Sequence, residues 1–260
     1  MAVQKLVCAP RSLPKEKWAA AAKTAVEVNP MNRPALGRMR GLLVPDVAPP
    51  EAIAVLTTKY WKTAGGVKLT VGFMEKTPAD LRKRLVLHMN AWNKTANVKF
   101  VQSSVDPQVR VAFDGGADGG YWSYLGTDIL HIPKDRQTMN LEAFSMKMPE
   151  SEFHRVVRHE TGHTLGFPHE HMRKALVAKI DTKKAIAFFQ ATQGWSPDET
   201  RQQVLTPLEE SSLWGTKADE RSIMCYQIPG SITKDGKPII GGTDIDALDY
   251  QFAGQLYPKK

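Results

Sequence analysis

The sequence predicts an α+β fold, on two observations. Strand-like segments and one amphipathic helix fill the stretch from Val67 to Leu141, and a helix rich in histidine then gives way to helices and loops. Residues 1–55 read as an N-terminal extension, and residues 56–260 as the folded domain. In the extension, Pro14–Val28 is rich in helix formers. The five prolines of Asn29–Pro50 make that stretch a linker or a strapped-down extended segment.

In the domain, Val67–Phe73 (VKLTVGF) alternates apolar and polar residues as a strand does. Thr77 and Pro78 suit the N-cap and first position of a helix over Pro78–Asn93, which offers Leu81, Leu85, Leu87, Met89 and Trp92 to a sheet. Val98–Val101 and Val109–Phe113 read as further strands. A Gly-rich turn at Gly115–Gly120 leads into extended segments at Tyr121–Leu125, Ile129–Ile132 and Met139–Leu141. A helix is expected at Pro149–Gly166, others at Asp181–Thr192 and Ser196–Val204, a turn at Ser222–Tyr226 and a last helix at Thr243–Tyr257.

With 260 residues, 42% apolar and 24% charged, the chain has the composition of a soluble globular protein. No apolar run approaches the roughly 20 residues of a membrane span. The apolar patch Leu6–Pro10 is shorter than the roughly 7–15 residues of a secretory core, so no signal peptide is evident, and both export by another route and a cytoplasmic location stay open. The net charge of +8 raises nucleic acid as a partner, but residues 1–50 hold eight basic and three acidic groups and the rest is nearly balanced. Without zinc-finger spacing, a helix-turn-helix signal or an RNP-like strand, nucleic-acid binding is set aside. Two cysteines, Cys8 and Cys225, do not make a disulfide scaffold. The tryptophans Trp61, Trp92, Trp122, Trp195 and Trp214 read as packing residues.

The chemistry is concentrated in Val156–Arg173, VVRHETGHTLGFPHEHMR. His159 and His163 are four apart, so on a helix both imidazoles share one face and can grip one ion. Glu160 projects beside that ion, where it can accept a proton from water. Gly166 can take the left-handed conformation that ends the helix and reverses the chain, bringing His169 back as a third ligand. Three nitrogen ligands leave one position open, as in catalytic rather than structural zinc sites. HExxH alone is a modest signal. The extended spacing HExxHxxGxxH is far more specific and is the metzincin signature. His154 lies off the ligand face and reads as a surface residue, and His171 reads as a non-ligand.

Within the metzincins the chain resembles the astacin-like peptidases. His159–Arg173 is similar to HExxHxxGFxHExxR, and Ser222–Tyr226 (SIMCY) to the Met-turn SxMHY. Tyr121–Thr127 and the ending DIDALDYQFAGQLYP share the likeness, which covers roughly residues 60–258. The resemblance implies an N-terminal lobe with a twisted mixed sheet and two helices, a C-terminal lobe of helix and loop, and an active-site cleft between lobes that meet near Gly166. It implies a Zn2+-dependent, secreted endopeptidase acting on protein or peptide substrates. It implies Met224 as an apolar floor beneath the imidazoles, Tyr226 as a swinging ligand whose phenol helps bind the oxyanion, and Glu170 as a structural carboxylate. It also implies Met139–Leu141 as the edge strand on which a peptide lies antiparallel. The chain departs from the pattern in lacking the usual paired cysteines, in having Cys225 for the Met-turn histidine, and in having Lys174-Ala175-Leu176 where acidic residues are common.

Cys8 admits three readings. It can be the ligand that closes the open zinc position and keeps a zymogen latent, with Lys5 and Arg11 favouring its thiolate. It can be an inert buried thiol, or it can pair with Cys225. The expected activity is therefore peptide hydrolysis with Glu160 as base and Tyr226 assisting. The alternative is a catalytically silent, zinc-containing peptide-binding protein, which would have no need of Glu160.

Overall fold

The computed structural model describes residues 8, 11–34, 57–62, 64–116, 119–207 and 218–259. Val67–Phe73 (β1) and Val98–Gln102 (β2) pair in parallel, with Val67 opposite Val98 and Val71 opposite Gln102. Parallel neighbours need a crossover. It is supplied by the helix Ala79–Met89 and its 3-10 continuation Asn90–Lys94. Leu81, Leu85, Met89 and Trp92 are buried by this packing, whereas Leu87 is 68% exposed and does not join the core. Thr77 does not cap the helix: its hydroxyl donates to the Glu75 carbonyl, and Pro78 occupies the cap position.

Val109–Ala112 (β3) pairs in parallel with β1, and Met139–Leu141 (β5) in parallel with β3. Tyr121–Ser123 (β4) then closes the row antiparallel to β5, giving the order β2-β1-β3-β5-β4. Met139–Leu141 is thus an interior strand, paired on both sides. The edge is β4. The expected extended segment Ile129–Ile132 is instead part of a 3-10 turn, Gly126–His131. Gly126 takes φ +47°, and a Cβ there would stand 1.9 Å from the Lys59 carbonyl oxygen, so the backbone packs too tightly on residue 59 to continue as a strand.

Within the extension, the helix Trp18–Val28 buries Ala21, Ala22 and Ala25. Its companion Leu13 packs with Ala21 and Ile132, and His131 Nε2 lies 2.9 Å from the Thr24 hydroxyl. Asn32 ties the following turn to the domain by donating to the Tyr60 carbonyl at 2.8 Å. Of the expected linker only residues 29–34 are described. Residues 35–50 and Trp214 lie outside the described residues.

The motif helix runs over residues 150–164 as an α-turn Glu150–Glu152, a π segment Phe153–Val157 and an α segment Arg158–Thr164. It packs under the sheet and completes the first core, in which Leu69, Val71, Leu85, Trp92, Val111, Leu141, Phe153, Val157 and Leu165 are buried together. Beyond Phe167 the chain builds a second core from Leu176, Ile180, Phe189, Val204, Ile228 and Ile232. Its helices include Thr182–Gln193, stopped by Gly194 at φ +72°, and Pro197–Thr200, opened by a capping box between Ser196 and Glu199. Trp195 stacks on Phe189 at 5.1 Å. The last helix, Ala247–Leu256, starts at an Asp246–Asp249 capping box, later than its composition suggests, and returns to the first core through Ala253, Leu256 and Tyr257.

Candidate active site

The motif helix ends in a Schellman turn. The Gly166 N–H donates to the His163 carbonyl at 2.8 Å and the Phe167 N–H to the Gly162 carbonyl at 3.0 Å. Gly166 has φ +97°, and a Cβ there would lie 2.9 Å from Tyr60 Cδ1 and 3.1 Å from the Lys59 carbonyl oxygen. The carbonyls left over at the helix end are taken by tertiary donors: Trp61 Nε1 to Thr164 O at 2.8 Å and the Tyr257 hydroxyl to Leu165 O at 2.5 Å. This turn delivers His169. Gly166→Ala is therefore expected to cost roughly 1–3 kcal/mol in strain. Thermal melting should register it as a fall of several degrees, with weaker zinc retention.

Three imidazoles meet at the turn. His159 donates from Nδ1 to the Ile223 carbonyl at 2.6 Å, and His163 from Nδ1 to the Phe167 carbonyl at 2.7 Å. A carbonyl only accepts, so these bonds put the proton on Nδ1 and leave each Nε2 lone pair facing inward. His169 Nε2 stands 3.2 Å from His159 Nε2 and 2.9 Å from His163 Nε2. Burial is the leading cause that pushes all three pKa values down, that of His159 to about 4, so the rings are neutral bases. Bonds of about 2.0–2.1 Å to tetrahedral zinc imply nitrogen–nitrogen edges of about 3.3 Å. The donor set fits zinc.

Glu160 is buried beside them. The Ser123 hydroxyl, on the edge strand, donates to its Oε2 at 2.7 Å, and Oε1 has no partner. Burial pushes its pKa up to about 7, against the opposing pull of hydrogen bonds from Cys8 and Ser123 and of the Arg155 guanidinium. A base in that range suits proton transfer near neutrality.

The Met-turn lies against the same helix. A Cβ at Gly162 would fall 2.4 Å from Met224 Sδ, so only glycine between the two helical histidines lets Met224 sit there. Asp249 holds the turn, accepting from the Ser222 hydroxyl at 2.6 Å and the Ile223 N–H at 2.8 Å. The Ile223 carbonyl in turn orients His159. Composition and spacing did not single out Ser123 or Asp249. The serine of the Met-turn and the acidic run DIDALD carried the only signal for the latter. Glu170 accepts from the Asp219 N–H at 3.1 Å, and its own N–H donates to the Met224 carbonyl at 2.9 Å, which ties the segment carrying His169 to the turn.

Cys8 lies in this cluster. Its sulfur and one nitrogen each of His159, His163 and His169 are all within 4.8 Å of one another. Its carbonyl accepts a hydrogen bond from the Tyr226 hydroxyl. Cys8 forms a parallel bridge to Tyr121 on the edge strand and Arg11 one to Tyr124 just beyond it, and the space left beside Cys8 is about 30 Å³, room for a water or two. The two cysteines do not pair: both are free and buried. Burial outweighs the Arg155 charge, which favours the thiolate. Burial and the Glu160 charge push the Cys8 thiol well up, and the Arg11 guanidinium is over the Trp122 ring instead. Lys5 lies outside the described residues.

The ring of His171 is outside the cluster, stacked on Tyr226 at 4.0 Å with Nε2 3.0 Å from the Gln203 carbonyl oxygen. His154 is not a plain surface residue: Nδ1 lies 2.9 Å from Asp244 Oδ2 and Nε2 3.4 Å from Glu150 Oε1.

The family model for the Astacin peptidase family matches residues 56–244. The chain belongs to the astacin family. This membership places it among the zinc metallopeptidases, and its mixed five-stranded sheet with helices is the α+β fold of its structural neighbours. A solved structure of myroilysin is 31% identical, with a TM-score of 0.72, and the match covers 78% of this chain and 97% of that one. A second myroilysin structure is 32% identical at a TM-score of 0.58, covering 77% and 86%. High choriolytic enzyme 1, a hatching enzyme zinc-protease from the medaka fish Oryzias latipes, shares the fold at 18% identity and a TM-score of 0.52, over 78% of this chain and 96% of that one. Zinc metalloproteinase nas-27 of Caenorhabditis elegans is 29% identical over 116 residues, which are 44% of this astacin and 23% of the nematode protein.

Proposed function

We propose that this astacin is a zinc-dependent endopeptidase kept latent by its own N-terminal segment. The observation that carries the reading is the unpartnered Oε1 of Glu160 beside three converging neutral imidazoles. His159, His163 and His169 would hold the metal, with Cys8 as fourth ligand in the latent form. Zinc, when bound, polarises a carbonyl and acidifies a water to a pKa of about 7.

The chain's own groups supply the rest. Glu160, oriented by Ser123, takes the proton of the attacking water on Oε1 and passes it to the leaving amine. Burial holds the Tyr226 phenol well above its usual pKa, so it stays a donor. The hydroxyl that now donates to the Cys8 carbonyl would donate to the substrate carbonyl oxygen as charge develops there. An extended peptide would add to the edge strand Tyr121–Ser123, where Cys8 now bridges Tyr121. An activating cut between Arg38 and Lys62 would separate the extension from the domain; most of that stretch lies outside the described residues. An exported protein is the setting the family resemblance implies. No helix among the described residues is long and apolar enough to cross a membrane.

The test is casein cleavage by the wild-type and Cys8→Ala chains, with zinc measured on the same samples. One zinc per chain and cleavage that a chelator abolishes and added zinc restores are expected. One zinc with no cleavage by either chain would favour a silent peptide-binding protein.

A further inference from the structure

A second group of ligating side chains lies at the start of the motif helix, outside the active site. His88, from the last turn of the crossover helix Ala79–Met89, faces Glu150 and His154, which are one turn apart on the motif helix. Glu150 Oε1 stands 3.1 Å from His88 Nε2 and 3.4 Å from His154 Nε2. These are close to the edges, about 3.3 Å, of a tetrahedron with bonds of about 2.0–2.1 Å. All three ligand atoms lie within 4.8 Å of one another.

His88 is 3% exposed, yet neither of its ring nitrogens has a hydrogen-bond partner. Leaving a buried imidazole unpaired is costly, and the nearness of Oε1 without a hydrogen bond is what two ligands of one ion show. Burial, opposed by the Glu150 charge, pushes the His88 pKa down to about 4, so its lone pair is free at neutral pH. His154 is already braced from behind, with Nδ1 2.9 Å from Asp244 Oδ2. That carboxylate–histidine arrangement is the usual support of a metal ligand.

We propose that His88, Glu150 and His154 form a second metal site, for a borderline divalent ion such as Zn2+, Co2+ or Ni2+. Two imidazoles among three ligands disfavour Ca2+ and Mg2+. Glu150 and His154 are 57% and 31% exposed, so water can complete the coordination. Two cations face the site. Arg84 pairs with Glu150 Oε2 at 2.5 Å and Arg158 with Asp244 Oδ1 at 2.5 Å. Each engages the oxygen that the metal and His154 do not need, but their charge makes this the weaker of the two sites. An ion here would clamp the crossover helix to the motif helix five residues before His159.

The experiment is a Co2+ titration of the metal-stripped full-length chain, followed by calorimetry and by visible absorption. Wild type should bind two ions, the second at least tenfold more weakly. His154→Gln and Glu150→Gln, at accessible positions, should bind one ion and leave the absorption of the first site, proposed above to include the Cys8 thiolate, unchanged. Excess Zn2+ should raise the melting temperature of wild type but not of His154→Gln. One ion in wild type, or two in both variants, would overturn the proposal.

Discussion

Glu160→Gln is expected to keep its zinc and to lower peptide hydrolysis by about 10²–10⁴-fold, the usual worth of a positioned base. Gln preserves the shape of the side chain and an acceptor for the Ser123 hydroxyl, which now reaches Oε2 at 2.7 Å. What it removes is the lone pair of Oε1 that can take a proton. The three histidines keep their Nδ1 bonds or their position in the cluster, so metal content is the internal control. Stability supplies a second one. Because the folded pKa of Glu160 is raised to about 7, protonation favours the metal-free fold, and that contribution is lost as pH rises from the ordinary carboxyl range through about 7. The Gln variant lacks this loss, so metal-free Glu160→Gln should melt no lower than wild type at pH 8. Full turnover by a zinc-loaded Glu160→Gln chain would remove Glu160 from the mechanism.

Cys8→Ala in the full-length chain should raise casein cleavage about tenfold or more. A tethered ligand acts at an effective concentration near millimolar, which a micromolar substrate does not displace. Removing the sulfur leaves the Tyr226 bond to the residue-8 carbonyl and the Arg11 bridge to Tyr124, so the cleft is loosened rather than emptied. Deleting the segment should therefore release more activity than the point substitution. Activity unchanged by Cys8→Ala would reduce Cys8 to a buried thiol that packs beside Tyr226.

Much of the site was legible because its chemistry is local. His159, Glu160 and His163 share one helix, so their relative placement follows from 3.6 residues per turn. Gly166 and His169 follow from the need for a left-handed residue to reverse the chain. The α+β order of elements was legible for a similar reason, since alternation and helix periodicity are properties of short segments. Where local pattern misled, a neighbour far along the chain had decided the outcome. Ile129–Ile132 has strand-like residues, but Gly126 packs on Lys59 and the backbone turns into a 3-10 helix. The edge position that the family resemblance implied for Met139–Leu141 fails in the same way, because Tyr121–Ser123 pairs with its free side. Leu87 fits an apolar list, but its helix presents it to solvent.

The partners of Cys8 were beyond reach of spacing alone. Three readings were open because residue 8 and the histidines are separated by some 150 residues, and only the folded chain brings the thiol to the imidazoles and away from a bond with Cys225. The same holds for His88, Glu150 and His154, which belong to two helices and become a set only when those helices pack. By itself the sequence determined the helical phase of His159, Glu160 and His163 and the turn that returns His169, the proposed zinc ligands and base, because those are set within a dozen residues by backbone geometry. The tertiary structure alone decided which strand is the edge, what covers it, and which distant side chains hold the ligands in place, because each of those depends on contacts that burial makes and sequence separation conceals.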